Sequence, residues 1–461
     1  MADTPAPEKT IMNSVTVRAL CNWLDDEDNT LRVIACNGAR EIRLGTLRRQ
    51  VAALCQQLLG RDELRWALCF EDSYLFVVGL LAVLHAGKVP VVPGHCRQSV
   101  LQEQTDEFEG ILTDLSLNLD CPLFEVSESD EGIDGELPTI ADDAYVILFT
   151  SGSTGKPRQI IKPVHCLDEE SRWLATLWGS RLQGCHIIAS VTHQHLYGLT
   201  FRIWLPMALG LSFDSRQTLY TEQLASHSRQ RRYAFISSPA FLRRIDRTLH
   251  VSRCQLTVSA GGALPWSSAQ AVLTWLGNPV DEIYGSTETG VIASRSRYDE
   301  HITWQPFAGI SFCCDDQHNW WARSALIPQA KGVKLDDKLV FDEQGCFQIC
   351  GRHDRIVKIE DKRISLSEIE RRLLALPEID DAVALQVTRT ERSAIGVVLV
   401  LKSPLMASDL PQLKRKWRHE LHKWLEPVAM PRFWRIVEVI PHNTQSKRAW
   451  PQIQELFHAA C

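Results

Sequence analysis

At 461 residues the chain exceeds what one hydrophobic core ordinarily organises, so two or three domains are expected. An apolar fraction of 45%, a charged fraction of 23% and a formal net charge of -6 are those of a folded globular protein and exclude a chain-wide basic surface for nucleic acid. Any basic surface must be local. The polar N-terminus (MADTPAPEKT) lacks the apolar stretch of a secretory signal, so a cytoplasmic location is expected and the fourteen cysteines read as thiols. Their spacing does not form paired metal-binding couples. His193 and His195 lack a third ligand of matching spacing, so a buried or site-lining role is expected for each.

Taken in chain order, the first clear element is a helix over Leu44–Leu59, followed by the run 74–85 (YLFVVGLLAVLH). That run falls short of the roughly 20 apolar residues of a membrane span and predicts a buried helix. Residues 125–143 are acidic and rich in Ser, Gly and Asp, as in a solvated connection between subdomains. Short β-rich runs follow at 144–149 (AYVILF), 186–191, 233–236, 255–259 and 396–401, and a helix over 409–424. Strand and helix signals alternate, which predicts an α/β fold.

The strand at 144–149 runs into Thr150, Ser151, Gly152, Ser153, Thr154, Gly155, Lys156 and Pro157. Small residues let a backbone approach phosphate closely, hydroxyls and N–H groups donate to its oxygens, and the lysine adds positive charge. A nucleoside-triphosphatase P-loop would need Gly in place of Thr150 and Ser or Thr in place of Pro157, so a kinase or GTPase is excluded.

A second segment, Tyr284, Gly285, Ser286, Thr287, Glu288, Thr289 and Gly290, together with the first and in that order, resembles the adenylate-forming synthetase superfamily of acyl- and aryl-CoA ligases, peptide-synthetase adenylation domains and luciferases. The resemblance covers roughly residues 15–455. It includes 80–92 and 110–114, His195 to Gly198, 259–265 (SAGGALP), Asp337 eight residues before Gly345, Gly351 to Asp354, the stretch 358–370, and Ser446 with Lys447. The fold it implies is a large N-terminal domain of layered α/β subdomains, 1–353, and a small mobile α+β C-terminal domain, 354–461, hinged at Asp354.

The activity implied is ATP-dependent activation of a carboxylic acid to an acyl-adenylate, then transfer to a thiol. By the resemblance, residues Thr150 to Lys156 cradle phosphate, and Thr287 and Glu288 serve the α-phosphate and Mg²⁺. Tyr284, Gly285 and Ser286 with Gly261, Gly262 and Ala263 enclose adenine, and Asp337 and Arg352 hold the ribose. His195 stands at the acid, and Lys447 bridges carboxylate and α-phosphate. The chemistry suits these types, since two anions meeting as phosphoryl charge develops need fixed cations and donors.

Two departures from the pattern matter. Glu360, Asp361 and Lys362 stand where most members carry glycine beside the thiol path, and the stretch 291–334 is short. Compactness, with the stretch 358–366, is similar to the ligases of bacterial aryl polyene clusters, which load an aromatic acid such as a hydroxybenzoate onto an acyl carrier protein. Lys414, Arg415, Lys416, Arg418 and Lys423 cluster on the 409–424 helix and suit either an acidic carrier protein or coenzyme A as partner, or simply a solvated face. The alternative reading is a non-catalytic binding module on the same fold. Trp204 and Trp304 are expected in the core.

Overall fold

In the computed structural model, the residues described are 16–25, 29–129, 132–151, 157–227, 231–252, 254–262, 264–316, 319–352, 356–360, 362–389, 392–403, 409–441 and 450–458. The short apolar runs up to 259 become strands of two large sheets whose parallel interiors are covered on both faces, which is why these strands read as unbroken hydrophobic stretches, while the run 396–401 enters a smaller C-terminal sheet. One sheet has the order Leu123–Glu125, Gly110–Thr113, Arg65–Cys69, Val89–Val92, Tyr145–Ser151, Pro157–Pro163. It is parallel except for the last pair, an antiparallel hairpin.

The second sheet runs Gln305–Pro306, Gly290–Ser296, Val280–Ser286, Leu256–Ser259, Tyr233–Ser237, His186–Ala189, Ser212–Asp214, Val33–Asn37, Arg40–Arg43. Its middle is parallel from Val280–Ser286 to Val33–Asn37, and antiparallel strands close both edges. The expected α/β class is therefore observed.

Helix Ser73–His85 is buried at every residue, as an all-round apolar helix must be. Asp72 caps it, accepting from Tyr74 N at 2.8 Å and Leu75 N at 3.1 Å. It packs on helix Leu44–Leu59 and the first sheet, while Ser73 N donates to Ser215 O beside the second. Trp204 and Trp304 are both buried. Trp204 Nε1 donates to Asp168 at 2.8 Å, which satisfies the indole inside the core.

The acidic stretch after Glu125 is tied down at several points. Glu128 accepts from Asn37 Nδ2 at 3.2 Å and pairs with Arg40 at 3.0 Å, and Pro138 O lies 2.7 Å from His85 Nδ1. It reads as polar because its side chains meet solvent, yet its backbone follows the large domain.

The C-terminal region is smaller and has its own cores. The hairpin Ile356–Ile359 and Lys362–Ser365, helix Leu366–Leu374, the sheet Ile379–Arg389, Arg392–Leu401, Pro431–Ile436 and helix Leu410–His422 surround one apolar cluster from Ile359 to Trp434. The opposite face of that sheet covers a second cluster with Ile440, Ile453 and Phe457. The expected boundary at 353/354 and the hinge Asp354 lie outside the described residues.

Candidate active site

Parallel strands in register deliver the loops that follow them to one edge, and open α/β sheets bind ligands there. In the second sheet that edge carries the 190–195 loop, Ser238, the Gly261–Gly262 turn and the Thr287–Glu288 turn; the first sheet contributes the segment after Val89–Val92 and the end of Tyr145–Ser151.

Strands Tyr145–Ser151 and Pro157–Pro163 pair antiparallel from Tyr145 opposite Pro163 to Ser151 opposite Pro157. The strands on either side of the Gly/Ser/Thr stretch thus pair with each other, whereas a P-loop is followed by a helix. Thr150 Oγ1 lies 3.5 Å from Arg158 O. Gly152, Ser153, Thr154, Gly155 and Lys156 lie outside the described residues, as do Ala263 and Lys447; of Ser151 and Arg352 only the backbone is described.

The Tyr284–Gly290 segment is also a hairpin tip. Ser286 N donates to Thr289 Oγ1 at 3.0 Å, and Thr289 Oγ1 donates to Gly290 O at 2.8 Å, so half-buried Thr287 and Glu288 project at the turn. Glycine at 285 is required by close approach: a Cβ there would meet Gly290 O at 2.1 Å. At Gly290, φ is +70° and a Cβ would meet Glu170 Oε1 at 2.7 Å.

Glu170 is a residue that sequence reasoning missed. Its carboxylate is buried, accepts Val291 N at 2.7 Å and Thr200 Oγ1 at 2.7 Å, and so fixes the hairpin from behind. Buried Lys162 donates to Leu326 O at 3.2 Å nearby, and burial pushes its pKa below the usual lysine value, opposed by Glu170. Both lie on segments whose patterns are otherwise apolar or unremarkable, so nothing local marks them.

Tyr284 Oη donates to Asp337 Oδ2 at 2.9 Å, and both residues are buried. The Tyr284 ring packs against Trp304 and Phe347 at 5.8 and 5.7 Å between centroids. Asp337 stands opposite Arg352 in the register of strands Asp337–Phe341 and Phe347–Arg352. Gly261, with φ +89°, ends the strand beside the one carrying Tyr284. The structure therefore brings Tyr284 and Asp337 together, and places Gly261 and Gly262 just past the end of the neighbouring strand.

His193 and His195 part company. His193 is buried, with Nδ1 2.8 Å from Ser73 Oγ and Nε2 3.0 Å from Phe70 O, and burial holds it well below the usual histidine pKa. His195 is open to solvent in the cleft, yet the protein mass around its ring still lowers its pKa, with Glu426 opposing. A Cβ on Gly94 would lie 3.7 Å from its Cε1, which places the ring beside the end of the Tyr145–Ser151 strand.

Facing His195 is a group that the sequence did not reveal. His95 is pushed down to about 4 by burial, with Glu426 opposing. Glu426, which burial would raise, is brought below the usual carboxylate value by Lys362 and His195. Lys362 pairs with Glu426 within the C-terminal region. Imidazoles of the large domain thus lie within electrostatic reach of an ion pair of the small one. Glu360, at the hairpin tip, has φ +55°, a left-handed conformation that glycine adopts more easily.

Among the described residues no group of three or more His, Cys, Asp or Glu side chains is placed to hold a metal ion. A single carboxylate at Glu288 does fit Mg²⁺ carried in on phosphates, because that ion retains water and takes few protein ligands. A surface groove lined by residues 245–251, Thr274 and Trp275 contains none of the motif residues.

Comparison with known proteins gives a consistent picture. Residues 95–317 match the family model "AMP-binding enzyme". Over 362 residues the chain is 32% identical to 4-hydroxybutyrate–CoA ligase 1 of Metallosphaera sedula, covering 67% of this chain and 61% of that protein. Over 271 residues it is 25% identical to a 4-coumarate–CoA ligase of Cereibacter sphaeroides, covering 58% and 62%. The chain therefore spans somewhat under two thirds of the length of these relatives. In fold it is similar to o-succinylbenzoate CoA synthetase from Bacillus subtilis, with a TM-score of 0.80, 16% identity and coverage of 94% and 98%.

Proposed function

We propose that the chain, whose residues 95–317 match the AMP-binding enzyme family, is a member of the adenylate-forming superfamily that activates a carboxylic acid with ATP and passes the acyl group to a thiol. In the first step a carboxylate oxygen bonds to the α-phosphorus of ATP, the bond to the β-phosphate breaks and pyrophosphate leaves. In the second the thiol loses its proton, sulfur bonds to the acyl carbon and AMP leaves. The observation that supports the reading is the contact of Tyr284 with Asp337, on the strand next to the one that leads into the Gly261–Gly262 turn: an aromatic ring, an open backbone and a buried carboxylate at one sheet edge suit a nucleoside.

In this reading Thr150 to Lys156 receive the phosphates, Gly261, Gly262, Ala263, Tyr284, Gly285 and Ser286 enclose adenine, and Asp337 with Arg352 accepts and donates at the ribose hydroxyls. Thr287 donates to the α-phosphate. Glu288 holds Mg²⁺, which neutralises phosphate charge when bound. Lys447 supplies the cation between carboxylate and α-phosphate, and His195 borders the acid. The unit 354–461 pivots at Asp354 to exchange Lys447 for the 360–362 turn between the two steps. An aromatic acid such as a hydroxybenzoate, and an acyl carrier protein or coenzyme A as acceptor, complete the reading.

The test is pyrophosphate exchange into ATP with aromatic and aliphatic acids, with and without Lys447→Ala, followed by transfer to coenzyme A or a carrier protein. Exchange dependent on one class of acid and lost in the variant is expected. No exchange with any acid in the presence of Mg²⁺ would make the chain a binding module.

A further inference from the structure

A charged seam joins the large domain to the C-terminal region away from the motif residues. Arg372, on helix Leu366–Leu374, is 7% exposed. Its guanidinium lies 4.1 Å from the ring centroid of Trp424, donates to Glu368 Oε1 at 2.6 Å on its own helix, and donates through two nitrogens to the two carboxylate oxygens of Glu103. Glu103 ends helix Gln98–Glu103 of the large domain. Arg371 approaches the same carboxylate at 3.6 Å, and Ser99, one helical turn earlier, donates to Lys423 O next to Trp424. One short helix of the large domain is thereby held at both ends by the small one.

Fork-to-fork pairing fixes orientation as well as distance, because both parallel donations are lost together when the domains rotate. Burial disfavours the Arg372 charge, and Glu103 and Glu368 more than offset it; Glu103 in turn is held below the usual carboxylate value. Separation of the domains therefore has to return two paired charges to water. The arrangement so fixed is the one in which Lys362 and Glu426 stand across from His195 and His95.

We propose that Glu103 and Arg372 form a latch, acting through position alone, that holds the C-terminal region in this arrangement and makes its release a step in each turnover. The catalytic half of this proposal rests on the two-step reaction proposed above; the structural half does not. Glu103→Gln keeps the shape and removes the charge from a partly exposed side chain, so the fold should survive. Hydrogen exchange on the full chain is expected to rise in both Gln98–Glu103 and Leu366–Leu374, with thiol transfer slowed about tenfold and pyrophosphate exchange retained. Glu103→Asp, which keeps the charge, is expected to retain more of the protection and transfer than Glu103→Gln.

Unchanged exchange protection in Glu103→Gln would overturn the latch, as would an equal fall of both half-reactions or no difference between Glu103→Asp and Glu103→Gln. If the wild-type chain shows no adenylation at all, the activity reading fails, while the hydrogen-exchange comparison still decides the latch.

Discussion

Asp337 shows how far a single residue can be read from sequence. Its spacing from Gly345 singles it out, but only the fold supplies the Tyr284 hydroxyl at 2.9 Å and the burial that makes its charge matter. Replacing it with Asn removes a charged acceptor, a loss of about 1.5–3 kcal/mol. AMP affinity by calorimetry should fall roughly ten- to hundredfold, and less in Tyr284→Phe; equal affinities would remove Asp337 from the ribose site. His95, Glu426, Lys162 and Glu170 were not legible, because each acquires its meaning from a partner distant in the chain.

The pair His227 and Asp214 supports a pH prediction of the same kind. Nδ1 of His227 lies 2.7 Å from Asp214 Oδ2, and His186 Nε2 lies 2.9 Å from Oδ1. Hydrogen bonding to Asp214 raises the His227 pKa; burial would raise Asp214, but the two histidines bring it below its usual value. The histidine contribution is full below its unfolded pKa of about 6.5 and is lost as pH rises through the folded value. The carboxylate contribution is present above about 3.9 and is lost as pH falls through the folded value. Thermal melts should therefore show wild type ahead of His227→Gln at pH 6 and the gap narrowing by pH 8; a gap that does not change with pH refutes the pairing.

Among elements, the strongly apolar ones were the most legible. Helix Leu44–Leu59 forms over the expected residues, the 74–85 run forms Ser73–His85, and the β-rich runs all enter sheets, since burial on both faces leaves little freedom in register. The basic helix is read less directly. Lys416 is paired with Glu378 at 2.5 Å and Lys423 with Glu420 at 2.7 Å, so part of its charge is already engaged.

The hairpins carry the sharper tests. Gly285→Ala places a Cβ against the Gly290 carbonyl, so the tip must open, costing about 1–3 kcal/mol and AMP binding with it. Normal denaturation midpoint and AMP affinity in that variant would contradict the close approach. At position 360, Glu360→Val should be about 1–2 kcal/mol less stable than Glu360→Asn, because a β-branched residue resists a φ of 55° more than asparagine does. Urea midpoints compare the two directly.

At the scale of the whole molecule, the two regions bury separate apolar clusters, among the described residues four within the large part and two within the C-terminal part. Calorimetry is expected to resolve two unfolding transitions. A saturating nucleotide, contacting mainly the large domain, should raise that domain's transition by about 2.7 kcal/mol of stability at a hundredfold excess over its dissociation constant. One transition with equal calorimetric and van't Hoff enthalpies would mean the seam fuses the regions into one cooperative unit. The α/β architecture was legible from alternating patterns. The seam was not, because it depends on how two finished domains meet.

The far edge of the second sheet has a consequence for synthesis on the ribosome. Val33–Asn37 pairs in parallel with Ser212–Asp214, and Arg40–Arg43 hangs on it alone. The nascent hairpin therefore emerges early and waits, its inner edge open, until the whole first sheet and the residues up to Asp214 have been made. At roughly 5–20 residues per second that wait is on the order of ten seconds or more. During it the hairpin presents an unpaired strand to other chains, and it is there that a chaperone would have much to do.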